Sequence, residues 1–139
     1  MGKEFDINIE SKISKIFDRR TRSQMIKANN KYLAIFSSSI NIYELKQDLE
    51  MNYKNSIIWD KIISYIDLHP LYPEIILSSF CDGIIKIWKI PESNNNDIKE
   101  EISTIKAHNS YVHYSLFNPV FENLIISSDS NNIKLWDIT

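Results

Sequence analysis

The chain has 139 residues, 43% of them hydrophobic and 24% charged, which predicts a single soluble globular domain. No apolar run approaches the roughly 18 residues that a membrane-spanning helix requires, and the first residues lack the pattern of a signal peptide. Cys81 is the only cysteine, which excludes an internal disulfide and a multi-cysteine zinc site. We therefore expect a cytoplasmic protein, in a reducing compartment, without a membrane span.

The charge is distributed unevenly along the chain. Residues 1–31 carry a balance of +4, the remaining residues carry −6, and the net charge is −2. All three arginines, Arg19, Arg20 and Arg22, lie in the positive segment. Because the planar guanidinium pairs with carboxylates in a bidentate fashion, this cluster indicates an acidic protein partner. A solvated surface turn without a partner explains the same residues.

Strands are predicted from Tyr32 onward. Residues 1–10 are expected to be frayed or a loosely held strand, and residues 11–28 fit a helix or a strand equally well. The later segments are short, rich in Ile, Tyr and Phe, and bounded by Ser, Asn, Asp or Pro. Polar connections are predicted at 45–56 and 92–97. The predicted strands are 32–37, 40–45, 62–67, 75–79, 84–90, 102–106, 112–117, 124–128 and 133–138.

The chain contains an internal repeat. The segment Ile84–Ile90 returns as Ile133–Ile138, and each copy follows an apolar run that ends in two serines. The tryptophans of the two copies, Trp88 and Trp136, stand 48 positions apart, and Tyr43 occupies the same place in a fainter earlier copy. Several short strands in a unit of roughly 40–50 residues are typical of a WD-type β-propeller.

The predicted fold is therefore all-β. It is a partial WD40-type β-propeller with about two complete blades plus a partial first blade, too few to close a ring. The open ends would expose strand edges and an apolar blade face, so we expect further blades or self-association to complete the structure. The predicted divisions are an N-terminal segment at 1–28, a partial blade at 29–56 and two blades at 57–92 and 98–139.

Four residues are predicted to hold the blades together, namely Trp88, Trp136, His108 and Asp82. In the WD pattern a histidine bonds an aspartate in a turn, and the pair orients a Ser or Thr and the tryptophan.

This polar network is expected to be incomplete in both repeats. In the last repeat Asp129 is displaced by one position, and Ser130 stands where the turn aspartate belongs. In the preceding repeat Asp82 is in place, but Trp59 replaces the histidine. Because a half-satisfied buried polar network is costly, modest stability is expected.

The sequence contains few residues that could take part in catalysis. Gly2 and Gly83 are the only glycines, so no phosphate-binding loop exists. Apart from His69, the histidines are His108 and His113, which have no carboxylate or cysteine at a ligand spacing. Cys81 has no evident base to activate it. These residues predict no enzyme, metal or cofactor, and nothing indicates a nucleic-acid partner.

Four segments of the chain resemble coronins, and one of them is Ile66–Pro70 before Glu74–Ile76. Trp88–Glu92, followed by a polar loop and Ile102–His108, resembles a blade junction of that family. Ala28–Ala34 is similar to its Ala-x-Asn-x-Lys-Phe-Leu-Ala element, and Ser11–Phe17 is similar to the opening of its propeller. The matches occur in the family's order over residues 11–139.

The resemblance implies the N-terminal part of a seven-bladed propeller that binds actin filaments and acts as a cytoskeletal scaffold. Asp18, Arg19 and Arg20 match the context in which coronins place a filament-binding arginine, with Arg20 as the nearest counterpart. The segment between Phe17 and Ala28 is shorter than in typical coronins. The alternative hypothesis is a WD-repeat scaffold with a non-actin protein partner.

Overall fold

The computed structural model describes residues 25–36, 39–48, 50–93, 97–98 and 101–139, and these contain strands and turns without a helix. The all-β prediction is confirmed, and all nine predicted strands are found within two residues of their predicted ends. The strands are β1 (Met25–Ala28), β2 (Tyr32–Phe36), β3 (Ile40–Leu45), β4 (Met51–Ile57), β5 (Ile63–Leu68), β6 (Ile75–Phe80), β7 (Ile84–Lys89), β8 (Glu101–Lys106), β9 (Tyr114–Phe117), β10 (Leu124–Ser128) and β11 (Ile133–Asp137).

The strands form three antiparallel sheets in which neighbours along the chain pair with each other. The first sheet has the order β1-β2-β3-β4, the second β5-β6-β7-β8, and the third β9-β10-β11. The leading strands β1, β5 and β9 lie beside one another where the sheets meet. In the described part of the chain the sheets form an open row. The sheet that lacks a fourth strand is the last one, whereas the sequence indicated the first.

The strand β4 corrects the prediction of a connection at 45–56. Its sequence looks like a loop because three successive side chains, Lys54, Asn55 and Ser56, are polar, yet all three are buried. Their side chains reach the loop after β7: Lys54 Nζ donates to Glu92 O at 2.8 Å, and Ser56 Oγ donates to an Asp97 carboxylate oxygen at 3.2 Å. Polar partners across the sheets thus replace the apolar pattern expected of a buried strand.

The sequence repeat and the sheet are offset by one strand. β8 directly precedes the third sheet along the chain, but it pairs with β7 and completes the second sheet. The loop from β8 to β9 therefore crosses from one sheet to the next, which connects each sequence repeat to two sheets.

Apolar side chains fill the two spaces between the sheets. The first space is lined by Tyr32, Phe36, Ile42, Ile66, Ile76 and Trp88, among others, and the second by Leu77, Ile85, Ile87, Val112, Phe117 and Ile125. Side chains alternate across a strand, so the third sheet turns its other residues outward. On that outward face Ile126, Ile133 and Leu135 are 43%, 76% and 65% exposed.

We predict that the 139-residue chain self-associates through this outward face of the third sheet, because an exposed apolar face beside an open strand edge favours pairing. The double substitution Ile133→Lys/Leu135→Lys should shift the chain towards the monomer in sedimentation velocity at several protein concentrations. The matched control is Ile62→Lys, a similarly exposed isoleucine outside this sheet. Equal association of wild type and double variant would contradict the prediction.

Candidate functional site

The third sheet contains a connected polar network at its centre. Trp136 Nε1 donates to Ser127 Oγ at 2.9 Å, and Ser127 Oγ lies 2.8 Å from Nε2 of the buried His108. Nδ1 of His108 lies 3.2 Å from Oδ2 of Asp129, in ion-pair range but poorly aligned for a hydrogen bond. The serine hydroxyl accepts from the indole and can donate to the imidazole, so one chain of contacts links two strands and two loops.

The displaced Asp129 therefore lies beside His108, so all four residue types of the set meet in the third sheet, although the expected hydrogen bond from the histidine to the aspartate is not formed. Its Oδ1 accepts the backbone N–H groups of Asn131 at 2.8 Å and Asn132 at 2.7 Å, which fixes the turn from β10 to β11. These N–H donors lower the pKa of the Asp129 carboxyl to about 2, and the hydrogen bond from Asn131 has the largest effect. The nearby His108 lowers this pKa further. The turn thus holds the Asp129 carboxylate within ion-pair range of His108, although the aspartate is displaced by one position in the sequence.

The second sheet holds its tryptophan differently. Trp88 Nε1 donates to Ser78 Oγ at 2.8 Å, and both residues are buried. Trp59 stands where His108 stands in the third sheet, with its ring centroid 5.6 Å from that of Trp88. Nζ of Lys86 lies 4.1 Å from the centroid of Trp59. Asp82 is exposed and accepts the backbone N–H of Ile84 at 3.3 Å, so it stabilises its own turn.

Gly83 connects the second sheet to the loop that carries His108. Its carbonyl accepts the backbone N–H groups of Ala107 and His108, both at 3.0 Å. A Cβ at this position would lie 2.0 Å from the His108 carbonyl oxygen, and φ is +87°, so only glycine fits. The position of His108 thus depends on a turn in the neighbouring sheet.

A second set of contacts joins the sheets near the other ends of the leading strands. Asp67 Oδ2 accepts the backbone N–H of Phe117 at 2.9 Å, and its Oδ1 lies 4.0 Å from Nζ of Lys27. Burial raises the pKa of Asp67, and the Phe117 N–H and Lys27 partly offset this effect. One carboxylate on β5 therefore contacts residues of β1 and β9, a role that no sequence pattern indicated.

The turns from leading to second strands are also linked. His69 Nδ1 accepts the backbone N–H groups of Leu71 and Tyr72, both at 3.1 Å, so the other ring nitrogen carries the proton. That nitrogen, Nε2, lies 3.0 Å from the Glu122 carbonyl oxygen. Asn29 Nδ2 donates to Pro73 O at 3.1 Å, which ties the first sheet to the same turn.

The predicted partner-binding residues Arg19, Arg20 and Arg22 lie outside the described residues. In the part of the chain that the structure describes, no cluster of three His, Cys, Asp or Glu side chains is arranged to bind a metal ion. Over the same part, no helix has the length and apolar character needed to cross a membrane.

Residues 99–137 match the family model described as WD domain, G-beta repeat, which covers β8 to β11. These residues form a WD40 repeat. The WD40 domain of Toxoplasma gondii coronin superimposes on 81% of this chain and 31% of that one, with a TM-score of 0.64 and 19% identity. The expected fold class, an open and partial WD40 propeller, is confirmed, and each sheet is one blade.

Several curated proteins are similar in sequence. DDB1- and CUL4-associated factor 13 of Dictyostelium discoideum is 29% identical over 70 residues, 50% of this chain and 14% of the relative. Coronin-like protein crn1 of Schizosaccharomyces pombe is 32% identical over 77 residues, which are 51% of this chain and 13% of the relative. Human apoptotic protease-activating factor 1 is 26% identical over 115 residues, which are 81% of this chain and 8% of the relative. The chain thus spans less than a sixth of the length of each of these relatives.

We predict that Trp88→Ala lowers the free energy of unfolding by about 3–5 kcal/mol, since it empties a buried indole site and leaves Ser78 without its donor. Trp136→Ala should cost less, because that ring is only half-buried. Urea unfolding followed by circular dichroism measures both variants against wild type. Equal losses for the two tryptophans would contradict the difference in packing.

Asp129 should make stability depend on acidity. Its pKa falls from an ordinary 3.8 to about 2 in the folded chain, so its stabilising contribution is present above pH 3.8. The contribution is lost as the pH falls through about 2, where the folded carboxylate also becomes protonated. Asp129→Asn keeps an acceptor for the turn but removes the charge beside His108. The difference in unfolding free energy between wild type and Asp129→Asn should shrink between pH 4 and pH 2; a constant difference would refute the assignment.

Proposed function

We propose that the chain is a coronin-like scaffold that binds actin filaments through its propeller surface and performs no bond chemistry. The scaffold proposal is supported by the observation that histidine and aspartate side chains able to do acid–base chemistry make structural contacts instead. His69, His108, Asp67 and Asp129 all contact groups that join strands, turns or blades. Groups committed to such contacts are positioned for rigidity, which leaves the loops at the blade ends for partners.

The actin partner rests on the coronin resemblance. Coronin-like segments follow one another in the family's order over residues 11–139, and the similarity to the coronin-like protein of Schizosaccharomyces pombe agrees with them. The cluster Arg19, Arg20 and Arg22 provides a cationic group of the kind that an acidic filament surface would attract. A cytoplasmic, cytoskeleton-associated location is part of the same proposal.

The second candidate is a scaffold with a non-actin partner. It is favoured by the similarity to a DDB1- and CUL4-associated factor, which is also a match over half of this chain. A WD scaffold of this kind would use the same rigid blades and a different surface. The two candidates therefore differ in partner and share the absence of chemistry.

We predict that Arg20→Asp weakens pelleting with actin filaments, because charge reversal at a contact places like charges together. Binding by the wild type should also weaken with added salt, since exposed charges are screened within about 10 Å at 0.1 M. Co-sedimentation at two salt concentrations measures both effects, with circular dichroism as the control for folding.

The matched control is Lys15→Asp, which makes the same charge change in the same positive segment. Loss of pelleting by Arg20→Asp alone supports the arginine as the contact. Equal pelleting of wild type and Arg20→Asp argues against the arginine, and no pelleting of wild type favours the non-actin partner.

A further inference from the structure

Two turns on one side of the propeller have corresponding sequences. Residues 69–74 join β5 to β6, and residues 118–123 join β9 to β10. Each turn begins with a residue whose side chain can accept hydrogen bonds, followed by proline, an aliphatic residue and an aromatic residue. Surface turns usually carry Gly, Asn, Asp or Ser at such positions, so a repeated apolar pair requires an explanation.

Both turns hold their apolar pair in a fixed conformation. Asn118 Oδ1 accepts the backbone N–H groups of Val120 at 2.8 Å and Phe121 at 2.9 Å. In the other turn, His69 Nδ1 accepts the corresponding N–H groups, as described above. The same device thus orients both pairs, and a pre-ordered loop loses little conformational entropy when a partner binds.

The two turns also contact each other. The Tyr72 hydroxyl donates to the Glu122 carboxylate, and His69 connects to the Glu122 carbonyl. We name the resulting surface the turn patch and define it by Leu71, Tyr72, Val120 and Phe121. These side chains are 52%, 44%, 72% and 63% exposed. Large exposed apolar side chains on two turns that are bonded to each other are of the kind that marks an interaction site.

We expect the turn patch to stay exposed however the propeller continues. Leu71 and Tyr72 lie in the second blade, and they remain about half exposed although the third blade already covers the neighbouring space. Val120 and Phe121 occupy the equivalent positions one blade later. An additional blade would therefore be expected to leave them accessible to a comparable extent.

The charge beside the turn patch is negative. Glu74 and Glu122 are the charged residues of the two turns, which contain no lysine or arginine. Glu74 shares a cleft with Lys31 and Lys89, whose cations balance it. Glu122 borders the patch and accepts from the Tyr72 hydroxyl, and this hydrogen bond together with the Glu122 charge raises the pKa of that phenol. A ligand of the patch would meet apolar side chains next to a carboxylate.

We infer that the turn patch is a docking site for a protein segment that presents bulky apolar side chains beside a lysine or arginine. Tyrosine and other aromatic side chains contribute strongly to protein interfaces, and complementary charge fixes orientation. This partner is chemically the opposite of the acidic surface expected for the arginine cluster. The inference therefore goes beyond the proposed filament binding and does not depend on it.

The test is a selection of random twelve-residue peptides, displayed on phage, against the immobilised full chain. Peptides enriched over the starting library should combine at least two large apolar residues with a lysine or arginine. The most enriched peptide is then synthesised with a fluorophore, and its affinity is measured by fluorescence anisotropy for wild type and three variants.

Val120→Ser/Phe121→Ser, which removes the apolar pair from one exposed turn, should weaken binding more than tenfold. Glu122→Gln keeps an acceptor for the Tyr72 hydroxyl and removes the charge, so it should weaken binding several-fold and reduce the salt dependence. Ile62→Ser is the matched control at the other end of β5, equally exposed, and should bind as wild type does. No enrichment, enrichment of acidic peptides, or equal affinity for the double variant would overturn the inference, whatever the result with filaments.

Discussion

A propeller blade has two apolar faces, and only its neighbours can cover them. This constraint organises the chain, because the space between the first two blades and that between the second and third hold nearly all of the buried large side chains. Neighbouring blades cover each other's apolar faces only if they keep a fixed angle and distance. The hydrogen bonds from Asp67, His69 and Asn29 to the neighbouring blade supply that geometry close to the leading strands. Hydrophobic burial drives the stacking, and these polar contacts determine its register.

Much of the fold was predictable from the sequence because the strands that face two neighbours are nearly continuous apolar runs. β6 illustrates this, and β10 keeps the same apolar run although one of its faces is uncovered in the described part of the chain; both were predicted within one residue of their ends. β4 was missed because Lys54, Asn55 and Ser56 satisfy a polar requirement created by a distant loop. Periodicity cannot reveal a partner that lies 38 to 41 residues further along the chain.

The candidate site was predictable only in part. His108, Ser127 and Trp136 follow the WD spacing, so their association could be expected from the repeat alone. The role of Asp129 could not, because it depends on a turn whose N–H groups bring the carboxylate back towards His108. The turn patch was also missed. Each of its residues is unremarkable singly, and the surface exists because two turns meet in space through Tyr72 and Glu122.

The second and third blades solve one problem with different chemistry. In both, a lysine two positions before the tryptophan lies over its ring, with Nζ 5.5 Å from the centroid for Lys86 and 5.6 Å for Lys134. Lys134 Nζ also donates to the carbonyl of Ala107, the residue directly before His108.

In the second blade the ring of Trp59 occupies the histidine position. Nζ of Lys86 lies over the face of this ring, and Glu101 neutralises the lysine charge. The Lys86 ammonium between the two indole rings therefore takes the place of the hydrogen-bonded imidazole of the third blade. The attraction of a cation to a ring face does not require the aligned donor and acceptor that a hydrogen bond needs. The loss of the histidine therefore changes how the loop before β5 is fastened, and the tryptophan–serine bond behind it is retained.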